Sequence, residues 1–260
     1  LVCRIPTWST LRCLTVLRFA GESRDVLSIG SDAGTLAVWD LLDGKCKILH
    51  AVDSVGKTGC RRGTPGQYIT ADPQGRAILI SAIEKRKLVY VCKRNGNNES
   101  TLASPLEAHR NRTLTFDTVG LDNGFDNPIF CCLELQYSED NTTSPADIPK
   151  QIAHYQLDLG SNHVSRAWAV TVHRQSCCLA AVPGGTGGPG GVLVGSPDWI
   201  LYAHADNENN NRDILVAAPI PRRQGTTTTP VLITTMTVFR QKKNKFFGLA
   251  QSELGDVYKV

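Results

Sequence analysis

The sequence predicts an all-β protein, part of a β-propeller with about five four-stranded antiparallel blades, the last of them incomplete. Two short apolar runs recur together five times along the 260 residues, and the second run carries an aromatic residue each time. No extended helical periodicity interrupts this series. A repeat of roughly 40–60 residues with four strands is typical of propeller blades, which stack because none buries both of its faces alone.

Each unit contains a first, second, third and fourth strand in chain order. Second strands are predicted at 25–31, 77–83, 128–135, 191–196 and 245–251, and third strands at 35–40, 87–93, 151–157, 199–204 and 256–260. First strands are predicted at 11–19, 66–73, 114–122, 176–183 and 230–239, and fourth strands, in four units only, at 45–52, 101–108, 163–170 and 214–221. We expect the central strands to be apolar on both faces, because each blade lies between two others.

The segments between the second and third strands have the composition of hairpin turns. Residues 32–34 and 253–255 each end in a glycine, and the charged run 84–87 joins the two strands of the second unit. These short connections predict antiparallel pairing within each unit.

The two ends of the chain are expected to be cuts, so that residues 1–260 form a partial propeller in a larger multi-propeller protein. The fifth unit stops after its third strand, at Val260, and the sequence before Leu11 is too short for another blade. A propeller closes only when its last blade meets its first, and this series predicts an open arc.

Charge and hydropathy restrict the function only weakly. The formal charge is +4, from 28 Lys and Arg against 24 Asp and Glu, without a long basic run. A nucleic-acid or membrane surface is therefore neither required nor excluded by charge. Gly, Pro and Thr interrupt the uncharged stretches, so no transmembrane helix is predicted.

The sequence carries no recognisable catalytic or metal-binding pattern. The six histidines lack H-E-x-x-H and H-x-H spacing, the nine cysteines include no C-x-x-C, and no G-x-S-x-G occurs. Gly56-Lys57-Thr58 is similar to the end of a phosphate loop, but the full motif needs a glycine where Ala51 stands. We expect no catalytic residue, cofactor, metal or small-molecule substrate.

Two further features are interpreted as loop chemistry. The acidic residues Asp122, Asp126 and Glu134 lie around Gly124 and Pro128, which indicates turns rather than an acid–base pair. The glycine-rich stretch 183–191 lies between two predicted strands and is interpreted as an exposed loop.

Partner recognition is expected in loops, because the strands supply the packing. The connector 56–66 contributes Lys57, Arg61 and Arg62, and a proline-fixed segment contributes Arg222 and Arg223. A guanidinium binds carboxylates through two parallel hydrogen bonds. These five residues are predicted to include contacts to an acidic patch of a protein partner.

Several long motifs carry a resemblance to a known family. They are GKTGCRR (56–62), PGQYITADPQGRA (65–77), SAIEKRKLVYV (81–91), SPLEAH (104–109), VGLDNGFDNPIFCCLE (119–134), YQLDLGSNHVSR (155–166) and PIPRR (219–223). In order along nearly the whole chain, these motifs resemble the splicing factor 3b subunit 3 family. That family is grouped with the damage-specific DNA-binding protein 1 and the large cleavage and polyadenylation specificity factor subunit.

The resemblance implies the first, N-terminal β-propeller of a three-propeller protein and a non-catalytic scaffold role in the nucleus. The scaffold would belong to the splicing factor 3b complex of the U2 small nuclear ribonucleoprotein and support branch-site recognition. Its implied partners are a HEAT-repeat subunit and a small helical subunit, with RNA contacted only indirectly. The alternatives are a propeller adaptor of a ubiquitin-ligase or 3′-end-processing complex, and a propeller enzyme or direct RNA binder.

Overall fold

The structure is a computed structural model that describes residues 4–7, 9–52, 61–97, 99–124, 126–138, 144, 147–205, 214–222, 229–242 and 244–260. Within these residues the chain forms nineteen β-strands and two short 3₁₀ turns, at Arg61–Gly63 and Gly185–Gly187. The described part contains no helix long and apolar enough to cross a membrane.

The strands form five small sheets, which we number as blades 1 to 5. Blade 1 contains β1 (Leu11–Leu17), β2 (Val26–Ser31), β3 (Leu36–Leu42) and β4 (Lys45–Val52), and blade 2 contains β5 (Tyr68–Ala71), β6 (Ala77–Ser81), β7 (Lys87–Arg94) and β8 (Ser100–Glu107). Blade 3 contains β9 (Thr113–Leu121), β10 (Ile129–Gln136), β11 (Lys150–Asp158) and β12 (His163–Val172). Blade 4 contains β13 (Cys178–Ala181), β14 (Val192–Ser196), β15 (Trp199–His204) and β16 (Ile214–Pro219), and blade 5 contains β17 (Ile233–Arg240), β18 (Phe246–Ser252) and β19 (Val257–Lys259).

Every sheet is an antiparallel meander, with each strand paired to the next one along the chain. The first strands contact one another in sequence, from β1 through β5, β9 and β13 to β17, and therefore line the inside of the arc. This arrangement is that of a β-propeller. The predicted fold class, the strand pairs and the unfinished fifth blade are confirmed.

The central strands are buried on both faces because each blade is packed between its neighbours. All five residues of β6 are buried, as are six of the eight residues of β10. One apolar cluster joins blades 2 and 3 around Leu79 and Phe130, and another joins blades 3 and 4 around Leu133 and Val194. Apolar surface contributes about 25 cal/mol per Å² when it is buried, so these interfaces stabilise the propeller.

The outer strand of blade 4 is exposed along its whole length. All six residues of β16 are exposed, including Leu215 and Val216. In the earlier blades, β4 contacts β8 and β8 contacts β12. Within the described residues blade 5 has three strands, so that part of the chain contains no fourth strand of blade 5 that could lie beside β16.

A buried ionic cluster links blade 2 to blade 3. The Lys87 ammonium lies 2.8 Å from Oε1 of Glu134, and both side chains are completely buried. The Tyr155 hydroxyl donates to the same oxygen at 2.8 Å, and Nη2 of Arg166 lies 3.8 Å from Oε2. Glu134 lies within β10, in agreement with the second strand predicted at 128–135, and not in a turn.

His154 makes the blade 3–blade 4 interface sensitive to acid. Burial first, and then the neighbouring His204, lowers the pKa of His154 from 6.5 to about 4. The unfolded chain therefore takes up this proton at higher pH than the folded protein. As pH falls from 6.5 to 4, the free energy of unfolding is expected to fall by up to about 3 kcal/mol from this residue.

His154→Phe tests this expectation, because phenylalanine keeps a ring against Trp168 but cannot be protonated. The two native rings lie 4.3 Å apart between centroids. Urea unfolding of both proteins at pH 7, 6, 5 and 4 gives the slope of the free energy of unfolding against pH for each protein. Equal slopes for the two proteins would contradict the assignment to His154.

Candidate protein interface

Two of the five predicted interface residues, Arg62 and Arg222, have described side chains, and both belong to one edge of the propeller. In an antiparallel meander, the connections between blades and the turns between second and third strands lie at the same edge, which we call the connector rim. The turns between first and second strands and between third and fourth strands lie at the opposite rim. The segments around Arg62 and Arg222 precede β5 and follow β16, so both are on the connector rim.

Arg62 binds the turn between the central strands of its own blade. Its Nε lies 2.7 Å from Oε2 of Glu84, and the Glu84 amide donates to the Arg62 carbonyl at 3.1 Å. The Tyr137 hydroxyl from blade 3 also donates to Glu84, and this hydrogen bond, more than burial, raises the pKa of Tyr137. The Glu84 carboxylate thus binds side chains of two blades, Arg62 of blade 2 and Tyr137 of blade 3.

Arg222 makes an equivalent contact in blade 4. Its Nε and Nη2 lie 3.1 and 2.5 Å from the two carboxylate oxygens of Asp198, a two-point interaction. The Val231 amide donates to the same carboxylate at 3.0 Å. Hydrogen bonding from Arg222, followed by that from Val231, lowers the pKa of Asp198.

The two arginines therefore hold internal carboxylates and still face solvent. The exposed fraction is 55% for the Arg62 side chain and 43% for the Arg222 side chain, so part of each guanidinium remains accessible to a partner. Lys57, Arg223 and the side chain of Arg61 lie outside the described residues. The role of these five residues in binding a partner stays a prediction.

The structure adds basic residues that the sequence patterns did not single out. Lys85, Arg86, Arg110 and Arg112 lie beside Arg62 on the connector rim, and we call these five residues the basic cluster. Backbone hydrogen bonds hold them together: the Lys85 amide donates to Thr113, the Arg110 amide to Lys85, and the Tyr137 amide to Arg112. These five residues come from three segments that lie more than twenty residues apart in the sequence. The R-x-R pattern at 110–112 is the sequence signal that could have indicated part of the basic cluster.

The described residues include no group of three His, Cys, Asp or Glu side chains able to hold a metal ion. Cys131 and Cys132 are completely buried in β10, and burial raises the pKa of both thiols. They pack as small apolar residues.

The fold defines the chain as a β-propeller whose connector rim carries charged side chains. The model of the RSE1/DDB1/CPSF1 first β-propeller family matches residues 2–260. The chain belongs to this family, and the resemblance found in its motifs is confirmed.

Relatives from fungi, plants and animals match nearly the whole chain. The "Pre-mRNA-splicing factor rse1" of Emericella nidulans is 42% identical over 96% of this chain, and the "Spliceosome-associated protein 130 A" of Arabidopsis thaliana is 39% identical over 98%. The "Splicing factor 3B subunit 3" of Danio rerio is 38% identical over 98%. In each case the match covers 21% of the relative, so the chain spans about a fifth of the length of these proteins.

Proposed function

We propose that this propeller is a non-catalytic scaffold in pre-mRNA splicing and acts in the nucleus as part of a splicing factor 3b complex. The observation that carries this proposal is the identity of about 40% with proteins named as splicing factors, over nearly the whole chain. Because those relatives are about five times longer, we also propose that residues 1–260 are the N-terminal propeller of a multi-propeller protein.

The connector rim supports a docking role. It presents half-exposed guanidinium groups that are already held in fixed orientations by Glu84 and Asp198. Pre-ordered arginines lose less side-chain entropy when they bind a second carboxylate. We propose that this rim contacts an acidic patch on a protein partner, such as the HEAT-repeat or small helical subunit, with RNA contacted only indirectly.

Charge reversal tests the interface directly. Arg62→Glu with Arg222→Glu, in the full-length protein, is expected to reduce copurification of splicing factor 3b subunits at least about fivefold, since like charges across an interface cost several kcal/mol. Arg18→Glu is the matched control, because Arg18 also binds an exposed aspartate, Asp25, at 2.7 Å but lies on the opposite rim. Exposed ion pairs contribute little to stability, so all variants should keep a similar melting temperature.

Three outcomes would contradict the proposal. Equal copurification by all variants would remove the connector rim from the interface. A large fall in melting temperature for the double variant alone would make the two arginines internal clamps. Copurification of a ubiquitin ligase or of 3′-end-processing factors in place of splicing subunits would favour the adaptor alternative.

A further inference from the structure

The opposite rim carries a cleft that the scaffold role does not explain. It lies between blades 3 and 4, has a volume of about 510 Å³, and is closed on one side by the glycine-rich loop 183–191. Blade 3 contributes polar and aromatic residues from separate strands and turns, and blade 4 contributes one histidine. They are Asp122, Asn123, Asp126, His154, Gln156 and Trp168 from blade 3, and His204 from blade 4.

Two buried polar atoms in this lining lack hydrogen-bond partners among the described residues. His154 is only 5% exposed, and its Nε2 is unpaired. Asn123 donates from Nδ2 to the Asn127 carbonyl at 2.5 Å, which leaves its Oδ1 buried and unpaired. Unsatisfied buried polar atoms cost free energy, so both favour a ligand that supplies N–H donors.

The neutral state of His154 allows its unpaired nitrogen to act as an acceptor. Burial lowers the pKa of this imidazole to about 4, so it carries no charge at neutral pH. With the proton on Nδ1, Nε2 accepts a hydrogen bond. The cleft therefore offers two acceptors, the imidazole nitrogen and the amide oxygen of Asn123.

The charge of the lining favours a cation. Its described residues include the carboxylates Asp122 and Asp126 and no lysine or arginine. Asp122 already accepts hydrogen bonds from the Arg240 guanidinium and from the Gly184 amide, which shows that this carboxylate accommodates a guanidinium. Asp126 also lines the cleft and is exposed, so its carboxylate can form an ion pair with a positively charged ligand that enters.

The aromatic wall favours a flat cation over a compact one. Trp168 is half-buried, and its indole is supported by the His154 ring at 4.3 Å. A guanidinium stacks on an indole and donates five N–H groups in one plane, whereas an ammonium is a strongly hydrated point charge. The glycine wall keeps the cleft narrow: a Cβ on Gly184 would lie 1.8 Å from the Asp122 carbonyl oxygen.

We propose that the cleft between blades 3 and 4 binds an arginine side chain presented by a partner protein. The guanidinium stacks on Trp168, pairs with Asp126, and donates to His154 Nε2 and Asn123 Oδ1. This site is on the rim opposite the basic cluster, so it is independent of the proposed connector-rim interface.

Saturation-transfer difference NMR tests the site with N-acetyl-arginine amide as the probe and the full chain as the receptor. We expect saturable binding, with the strongest transfer to the Cδ protons beside the guanidinium. N-acetyl-citrulline amide has the same shape without the positive charge, and N-acetyl-lysine amide has the positive charge without the planar guanidinium. Both should bind at least about fivefold more weakly.

Asp126→Asn is expected to weaken arginine amide binding about tenfold, the effect of losing a charged hydrogen-bond partner. Asp43→Asn is the matched control, because Asp43 is an exposed aspartate on the same rim in blade 1. Trp168→Leu should also weaken binding, while Asp43→Asn leaves it unchanged. Equal binding of citrulline amide, tighter binding of lysine amide, or no effect of Asp126→Asn would each overturn the proposal.

Discussion

Glu134→Gln is expected to destabilise the protein by about 3–5 kcal/mol at pH 7, the usual cost of removing one partner of a buried ion pair. The Lys87 ammonium would remain between blades 2 and 3, completely buried, with its carboxylate partner at 2.8 Å replaced by a neutral amide. Glutamine can still accept the hydrogen bond from the Tyr155 hydroxyl. The loss of stability therefore measures the effect of the missing charge rather than of that hydrogen bond.

The double variant Lys87→Met with Glu134→Gln separates the two contributions. It removes both buried charges of the pair. The Arg166 guanidinium, whose Nη2 is buried 3.8 Å from the Glu134 carboxylate, faces a neutral amide in both variants, so the two differ only in the buried Lys87 charge. The double variant should therefore recover at least half of the stability lost by Glu134→Gln alone. Urea unfolding of four proteins, the native chain, Lys87→Met, Glu134→Gln and the double variant, completes a double-mutant cycle.

Glu22→Gln is the control for the chemical change itself. Glu22 pairs with Arg94 at 3.2 Å, and both side chains are about 40% exposed. Its replacement is expected to cost less than about 1 kcal/mol, as for other exposed pairs. A loss of similar size for Glu134→Gln would show that the buried pair does not hold blades 2 and 3 together.

The repeated apolar runs were sufficient to predict the fold. Residues 77–80 of β6 and 129–133 of β10 are apolar runs because neighbouring blades cover both of their faces, and this burial is visible in the sequence itself. The burial of Lys87 and Glu134 was harder to predict, since charged side chains normally face solvent. Lys87 belongs to the charged run 84–87, yet β7 begins at this residue and its side chain is fully buried.

The candidate sites were less predictable because they are formed by residues distant in sequence. The basic segment containing Arg62 was recognised as a motif, but its partner Glu84 follows two complete strands later, after β5 and β6. The cleft joins Asp126, His154 and Trp168 without a local pattern, and only strand pairing places His154 opposite Trp168. Loop composition therefore indicated which segments are accessible, while the choice of internal partners required the structure.

Gly75→Ala is expected to destabilise the protein by more than about 4 kcal/mol, because it forces blades 1 and 2 apart. Gly75 has a φ of +71°, and a Cβ there would lie 1.7 Å from the Arg18 carbonyl oxygen and 2.9 Å from the Ala20 nitrogen. The Ala20 amide also donates to the Gly75 carbonyl at 3.2 Å. Both obstructing atoms are backbone, so a change of rotamer cannot relieve the contact.

Gly255→Ala separates this clash from backbone strain. Gly255 has a similar φ of +82°, but a Cβ there meets no atom within 4 Å. Its replacement should cost only about 1–2 kcal/mol, the penalty of a left-handed conformation for alanine. Hydrogen exchange should then show faster opening of β1 and β5 in Gly75→Ala and unchanged exchange there in Gly255→Ala. Equal stability losses for the two variants would mean that the close backbone contact between blades 1 and 2 is not required for the propeller.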